Sequence, residues 1–414
     1  MRIAIVTWNR RRLGGAEEYI ARIVSDLAEA GHDLAFWHSV DEPTTVSQIA
    51  LPVGVTAWCA SDRGPEQALE ALRKWSPDIV FAHGLESPRI EAEILKVAPA
   101  VFLAHAYYGT CISGNKMTSF PRPEPCARQF GAKCLVNFYP RRCGGLNPQT
   151  MWREYRRQSQ RLCLLSRYRA IVTLSGHMAN EYIDHGFDPS TVYHLPSPLG
   201  FDYRVNGSAT AETNRLNNNG EGATDEVHLT FLGRMHYSKG CSTLFAALPL
   251  IAGKLRKPIR VTFAGEGPER LKLQGLANRL NGGSRLRVEF PGWLSQQEKD
   301  ELLEQSDLLV VPSLWPEPFG MVGLEACMHG VPVVAFDSGG VREWLHDGVN
   351  GFLAPGDPPT ASGLAMAVVK SLQNPVTYAE LQRGALETVR QSNKQTHVDA
   401  LLNLFEQVVS ENRN

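Results

Sequence analysis

The sequence predicts an α/β protein made of two doubly wound parallel sheets, and three observations carry that prediction. Short apolar runs alternate with helix-period segments through most of the 414 residues, the rhythm of strand–helix–strand units whose sheets are covered on both faces. The rhythm occurs as two sets separated by a polar tract, NRLNNNGEGATDE, whose composition cannot build a core. A chain of this length with 43% hydrophobic residues can bury more than one core.

The first set of strands is read at Ile3–Thr7, Leu34–His38, Ile79–His83, Val101–Ala106 and Ile171–Ser175, the second at His228–Gly233, Ile259–Ala264, Leu286–Phe290, Leu308–Pro312 and Pro332–Asp337. The first strand leads through Gly14 and Gly15 into a helix with Ile20, Ile23, Val24, Leu27 and Ala28 on one face. A linker is expected at Leu195–Gly200 and a surface loop at Asn206–Glu226. The reading is a first domain at 1–197 with an insertion at 107–169, a second domain at 198–375, and closing helices at 376–414. The last of these, around Val398–Val409, is expected to pack back on the first domain.

A net charge of −1 gives no global pull toward nucleic acid or membrane, so any electrostatic specialisation is local. The start MRIAIVTWNRRR lacks the apolar core of a secretory signal, and no stretch approaches a bilayer span. A cytoplasmic protein, or one peripheral on the inner face of the membrane, is expected, with mostly reduced cysteines.

Glycines ahead of a helix let a diphosphate approach free N–H groups at the positive end of the helix dipole, although Gly14 and Gly15 do not form the dinucleotide fingerprint. In the second set, the first strand runs into FLGRMHYSKG, placing Arg234 and Lys239 just past its C-terminal end, where ligands sit in open α/β sheets. Two cations there can neutralise a diphosphate and the charge that builds on it as a leaving group. Further on, VVPSLWPEPFGMVGLEACMHG orders a strand end, two prolines, a glycine and a helix. Backbone N–H groups of Phe319, Gly320, Met321 and Val322 then face outward at a helix start. Glu325, one turn in, suits a vicinal diol such as ribose, and Glu317 suits sugar hydroxyls. Two carboxylates also fit glycoside hydrolysis, but a hydrolase has no use for the diphosphate features.

The segments GGAEE, AEAGHDL, GRMHYSKG, AGEGPE, PGW, EPFGMVGLEA and DSGGVREWLHDGVNGFLAPGD occur in this order, and in it the chain resembles the retaining glycosyltransferases of family 4, also called group 1, which have the GT-B fold. The resemblance implies a nucleotide sugar, UDP- or GDP-linked, bound in a cleft between two Rossmann-like domains. Arg234 and Lys239 then bind the diphosphate, Glu325 the ribose, and Glu317 with the Phe319–Val322 backbone the transferred sugar. Gly14 and Gly15 lie beside the phosphates, and Gly265, Gly292 and Leu294 belong to the donor-binding loops, with base selection resting on the backbone at Gly292–Leu294. His105 matches the family's histidine after the fourth strand, although Ala106 departs from the usual following residue. The implied reaction is transfer with retention to a glycan, lipid-linked or small-molecule acceptor. No two aspartates stand at i, i+2, so the D-x-D metal site of the other main transferase fold is missing and no catalytic cofactor is expected. The rival reading is a catalytically silent nucleotide-sugar-binding or membrane adaptor subunit of the same fold.

Two local features stand apart. Cys111, Cys126, Cys134 and Cys143 fall within 33 residues, spaced C-x14-C-x7-C-x8-C. A structural zinc would order such a loop, while the wide spacing also fits free thiols and, after them, disulfides. Between Pro121 and Arg169 stand eleven Arg or Lys against Glu124 and Glu154. Arg153, Arg156, Arg157 and Arg161, interleaved with Met151, Trp152, Tyr155, Leu162, Leu164 and Leu165, read as a basic amphipathic helix that suits an anionic membrane surface through 141–169. Nucleic acid is not expected, because no recognised module accompanies the charge.

Overall fold

The computed structural model describes residues 1–12, 14–40, 47–195, 226–280, 285–391 and 394–413. The expected linker and surface loop lie almost wholly outside them. The chain divides into two compact units, one of Met1–Pro121, Cys126–Pro198 and Lys394–Asn414, the other of Arg122–Pro125 and Leu199–Asn393.

The first unit is built on a seven-stranded parallel sheet. Its strands are β1 (Arg2–Asn9), β2 (Asp33–Val40), β3 (Thr56–Cys59), β4 (Ile79–Ala82), β5 (Ala100–Leu103), β6 (Ala170–Thr173) and β7 (Val192–His194), in the spatial order β3-β2-β1-β4-β5-β6-β7. Central strands are apolar without alternation, because both faces are covered: Ile3, Ala4, Ile5 and Val6 are fully buried, and Ile3 is in register with Leu34 and Ile79 on either side. Around the sheet lie α1 (Gly15–Glu29), α2 (Pro65–Trp75), α3 (Pro88–Ile94), α4 (Pro148–Leu165) and α5 (Gly176–Asp184). In α1 the spacing of Ile20, Ile23, Val24 and Leu27 buries one face.

The second unit carries a six-stranded parallel sheet of β8 (Val227–Leu232), β9 (Ile259–Ala264), β10 (Leu286–Gly292), β11 (Leu308–Val311), β12 (Val333–Phe336) and β13 (Gly351–Ala354), ordered β10-β9-β8-β11-β12-β13. Its helices are α6 (Cys241–Leu255), α7 (Arg270–Leu280), α8 (Gln296–Glu304), α9 (Met321–Met328), α10 (Ala361–Leu372) and α11 (Pro375–Gln391). In both sheets the strand order reverses beside the first strand, between β1 and β4 and between β8 and β11. That is the switch point of a doubly wound sheet, where the C-terminal strand ends leave a crevice.

The final helix, α12 (Lys394–Arg413), belongs to the first unit, with Val398, Leu401, Leu404, Phe405 and Val408 buried. The Phe405 ring meets Phe81 of β4 edge-on at 5.2 Å. The helix before it, α11, instead packs against α9 and α10 of the second unit, so the closing helices of 376–414 are divided between the two units. Strands β3, β7 and β13 were not expected. All three are edges, three or four residues long, opened or closed by Thr56, His194 and Gly351 rather than by apolar residues.

Candidate active site

The second unit gathers most of the expected donor-binding residues at its switch point. After β8 the chain runs through Gly233 and Arg234 to Lys239, and after β11 it runs on through Ser313 to Glu317. The two loops are stitched together by backbone bonds from Leu314 and Trp315 N–H to the Ser238 carbonyl, at 2.8 and 3.2 Å. Gly240 permits this closeness. Its φ is +69°, and a Cβ there would stand 1.8 Å from the Pro312 carbonyl oxygen.

Lys239 Nζ donates to Glu317 Oε1 at 2.7 Å and stands 4.7 Å above the Trp315 ring. Ser313 Oγ donates to the same oxygen, and Glu317 is 5% exposed. Both bonds fall on Oε1, so Oε2 keeps its acceptor capacity. The Glu317 backbone is fixed from behind, where its carbonyl accepts from Gly340 N–H at 2.7 Å. Gly339 bridges to it with φ +67°, and a Cβ there would come within 2.4 Å of the Glu317 oxygen.

Arg234 is exposed, and its guanidinium makes no bond to a described residue. Burial holds the neighbouring His236 imidazole below its usual range, with the Arg234 and Lys239 charges acting in the same direction and Glu269 against them.

α9 begins at Gly320, whose left-handed backbone caps the helix without a side-chain acceptor. The first-turn N–H groups of Met321 and Val322 are therefore left without a side-chain cap, at the positive end of the helix dipole. The turn before it is anchored by Trp344, fully buried, whose Nε1 donates to the Phe319 carbonyl at 2.7 Å. Glu325 lies one turn into α9, 8% exposed, with Lys299 Nζ of α8 at 3.5 Å from its Oε2. Gly265 and Gly292 end β9 and β10 and are joined by a 2.7 Å backbone bond. Leu294 lines an open cavity with Phe290, Glu298 and Leu302.

Gly14, Gly15 and His105 lie in the first unit. Gly14 caps α1 in extended conformation without a side-chain bond. His105 follows β5, and its Nε2 shares a 2.9 Å hydrogen bond with His83 Nδ1, just past β4. The two rings stack at 5.2 Å, with the Tyr19 ring edge-on to His105 at 5.5 Å. Tyr19 OH in turn bonds His397 Nε2 of α12 at 2.8 Å. Burial pushes His105 down to about 3, and burial, then the charge of His105, pushes His83 well below the usual histidine range. The pair is neutral at physiological pH. His83 Nε2 is buried without a hydrogen-bond partner among the described residues.

Sequence reasoning missed Ser313, Lys299, His83, Tyr19 and Trp344. Only the Ser313 position, directly after a strand end, carries a signal that could have found it. The others come from elements far away in sequence.

Two expectations in the insertion meet the structure differently. Among the described residues no group of three or more His, Cys, Asp or Glu side chains is placed to hold a metal ion, so Cys111, Cys126, Cys134 and Cys143 do not form a coordination shell as they stand. All four are free thiols, and Cys111 Sγ accepts the Lys116 N–H at 3.2 Å. In α4, Arg161 does not belong to an outward basic face. It is 8% exposed, donates to the Leu85 carbonyl at 2.7 Å, and lies 4.2 Å over the Tyr108 ring. Leu164 and Leu165 are core residues, so the apolar side of α4 is spent on the protein.

Comparison with known proteins agrees with this architecture. The model of group 1 glycosyl transferases matches residues 214–388, and that of glycosyltransferase family 4 matches residues 13–199. The chain is 32% identical over 216 residues to an uncharacterised glycosyltransferase of Methanocaldococcus jannaschii, covering 51% of this chain and 52% of that protein. It is 26% identical to a glycogen synthase of Mycobacterium tuberculosis over 93% of this chain and 89% of the relative. The structure of Anabaena HepE in complex with UDP and glucose superposes with a TM-score of 0.66 at 19% identity, covering 97% of this chain and 99% of that one, which is a likeness of fold. The chain belongs to the group 1 glycosyltransferases of family 4 and has their GT-B fold of two Rossmann-like parallel sheets.

Proposed function

We propose that the chain transfers a sugar from a nucleotide diphosphate donor, UDP- or GDP-linked, to a glycan, lipid-linked or small-molecule acceptor, with retention at the anomeric carbon and without a catalytic metal. The observation that carries this reading is the Lys239–Glu317 pair at 2.7 Å, on the same pair of loops as the exposed Arg234, at the switch point of the second sheet. HepE, solved with UDP and glucose, and the glycogen synthase relative support the donor class.

In this reading the diphosphate lies against Arg234, Lys239 and the uncapped start of α9. Glu325, held by Lys299, accepts hydrogen bonds from ribose hydroxyls. Glu317 Oε2, its sister oxygen already occupied, accepts from a hydroxyl of the transferred sugar. As the bond between the anomeric carbon and the phosphate oxygen breaks, negative charge grows on the leaving diphosphate, and the fixed cations and N–H groups stabilise it there. The acceptor hydroxyl bonds to the anomeric carbon from the same face and passes its proton to the departing phosphate oxygen. No protein nucleophile is required. His105, neutral and tied to His83, serves as a hydrogen-bonding group in the first unit. The test is release of nucleoside diphosphate from a panel of UDP-, GDP- and ADP-sugars, with NMR of the product anomer. Inversion at that centre would overturn the retaining part of the reading.

A further inference from the structure

The insertion between β5 and β6 exposes apolar and basic side chains together, and the donor chemistry uses none of them. Of the twelve large hydrophobic residues exposed among the described residues, Phe120, Val136, Leu146 and Trp152 fall within this one stretch, at 49%, 75%, 76% and 52% exposure. Exposed apolar side chains set among basic ones are a feature of surfaces that meet a partner or a membrane.

The parts of this stretch are held against one another. Arg142 lies over the Phe120 ring at 5.2 Å, and the Ser119 and Phe120 N–H groups both donate to the Arg141 carbonyl. The one-turn helix Lys133–Asn137, which carries Val136, packs against α4. On α4, Trp152 stacks on Tyr155 at 6.0 Å, and Tyr155 meets Phe130 at 5.3 Å.

With Arg161 turned inward, the outward face of α4 is Trp152, Arg153, Arg156, Gln160 and Cys163, all exposed and none acidic. Glu154, the one acid of α4, is shared between Arg157 at 2.7 Å and Arg153 at 3.6 Å. Arg142 and Lys133 are also exposed, in a segment whose basic residues outnumber its acids eleven to two.

We propose that this face docks on an anionic lipid bilayer. Arg142, Arg153 and Arg156 meet the headgroups, while Trp152 and Leu146 enter the interface. Charge complementarity selects the occupant, since exposed arginines that outnumber the carboxylates around them are drawn to a negatively charged leaflet. Exposed Trp beside them favours the boundary between headgroup and acyl chain. No described helix is long and apolar enough to cross a membrane, so the contact is one of surface attachment.

The test is co-sedimentation of the full chain with vesicles of neutral phosphatidylcholine or with about one third phosphatidylglycerol. The expected result is binding to the anionic vesicles only, weakened at least tenfold by R142E/R153E/R156E and several-fold by W152S/L146S. Melting temperature and donor hydrolysis stay at the wild-type level, because none of these residues belongs to the donor site. Equal binding to both vesicle types, or anionic binding unchanged in the arginine variant, would overturn the proposal. So would vesicle binding that ignores W152S/L146S while a soluble polyanion such as heparin competes it away, because the face would then read charge alone.

Discussion

Lys239 and Glu317, 78 residues apart in the chain, meet as a 2.7 Å ion pair in which the carboxylate is buried and one of its two oxygens takes every bond. On the proposed reading the lysine therefore has two duties, neutralising Glu317 in the free protein and facing the diphosphate in the donor complex. Arg234 has only the second.

That asymmetry separates two variants. Arg234→Ala removes an exposed side chain that bonds to no described residue, so its melting temperature should match wild type. Its kcat should nevertheless fall by about 10²–10³, the usual effect of deleting one group that stabilises transition-state charge. Lys239→Ala should lose comparable activity and also melt lower, because it leaves a buried carboxylate uncompensated. Thermal melts beside donor turnover read both effects, and equal melting temperatures for the two variants would refute the distinction.

Glu325 and Lys299 lie on α9 and α8, 3.5 Å apart. If they hold the ribose, Glu325→Gln should raise the donor KM about tenfold or more with a smaller change in kcat. Lys299→Ala should follow in the same direction but more weakly. A change confined to kcat would place Glu325 elsewhere.

Gly339 should tolerate no side chain. Its backbone is left-handed, and a Cβ would overlap the Glu317 carbonyl, so Gly339→Ala should destabilise the second unit by roughly 2–4 kcal/mol. Donor turnover should fall with it, since the displaced segment carries Glu317. Wild-type melting and activity in this variant would show that the loop is looser than described.

The buried histidines predict acid sensitivity with a definite sign. His105 titrates at about 3 and His83 well below its usual value in the folded chain. Below about pH 6.5 the unfolded chain therefore binds protons that the folded chain refuses. Their contribution is complete above about pH 6.5 and is lost as pH falls toward 3, by roughly 1.4 kcal/mol per pH unit for each imidazole. A His105→Phe variant should show a shallower decline of melting temperature between pH 6.5 and 4.5. An unchanged slope would mean that His105 is not buried neutral.

Thiol reactivity should follow burial. Cys163 is exposed, whereas burial pushes Cys143 up to about 11, aided by the other thiols of its loop, and Cys241 and Cys327 to about 12. Alkylation at pH 8 should label Cys163 first and the other three slowly. Stoichiometric zinc in the purified chain, with all four loop thiols protected, would show that the loop closes into a site its present placement does not form.

Much of the fold was legible because parallel strands buried on both faces leave uninterrupted apolar runs, as Ile3–Val6 and Leu308–Val311 do. Three of the four edge strands of the two large sheets, β3, β7 and β13, were not, since Thr56, His194 and Gly351 cut into runs that are already short. Arg234, Lys239, Glu317 and Glu325 were readable as types of residue at strand and helix ends. Their partners were not: Lys239 with Glu317, Lys299 with Glu325 and His83 with His105 are products of topology, and local spacing contains no trace of them. Arg161 shows the converse error. Its place on a basic helix suggested solvent, while the carbonyl of Leu85 and the ring of Tyr108 hold it inside.

The most direct test of the account is nucleoside diphosphate release from UDP-, GDP- and ADP-sugars by wild type, Arg234→Ala and Lys239→Ala, with each donor's effect on melting temperature measured alongside. The account predicts that at least one donor stabilises wild type and is turned over, and that both variants lose turnover by 100-fold or more, Arg234→Ala while fully folded. Wild-type rates in the folded Arg234→Ala variant, or a folded wild type that no donor stabilises and none is consumed by, would contradict it.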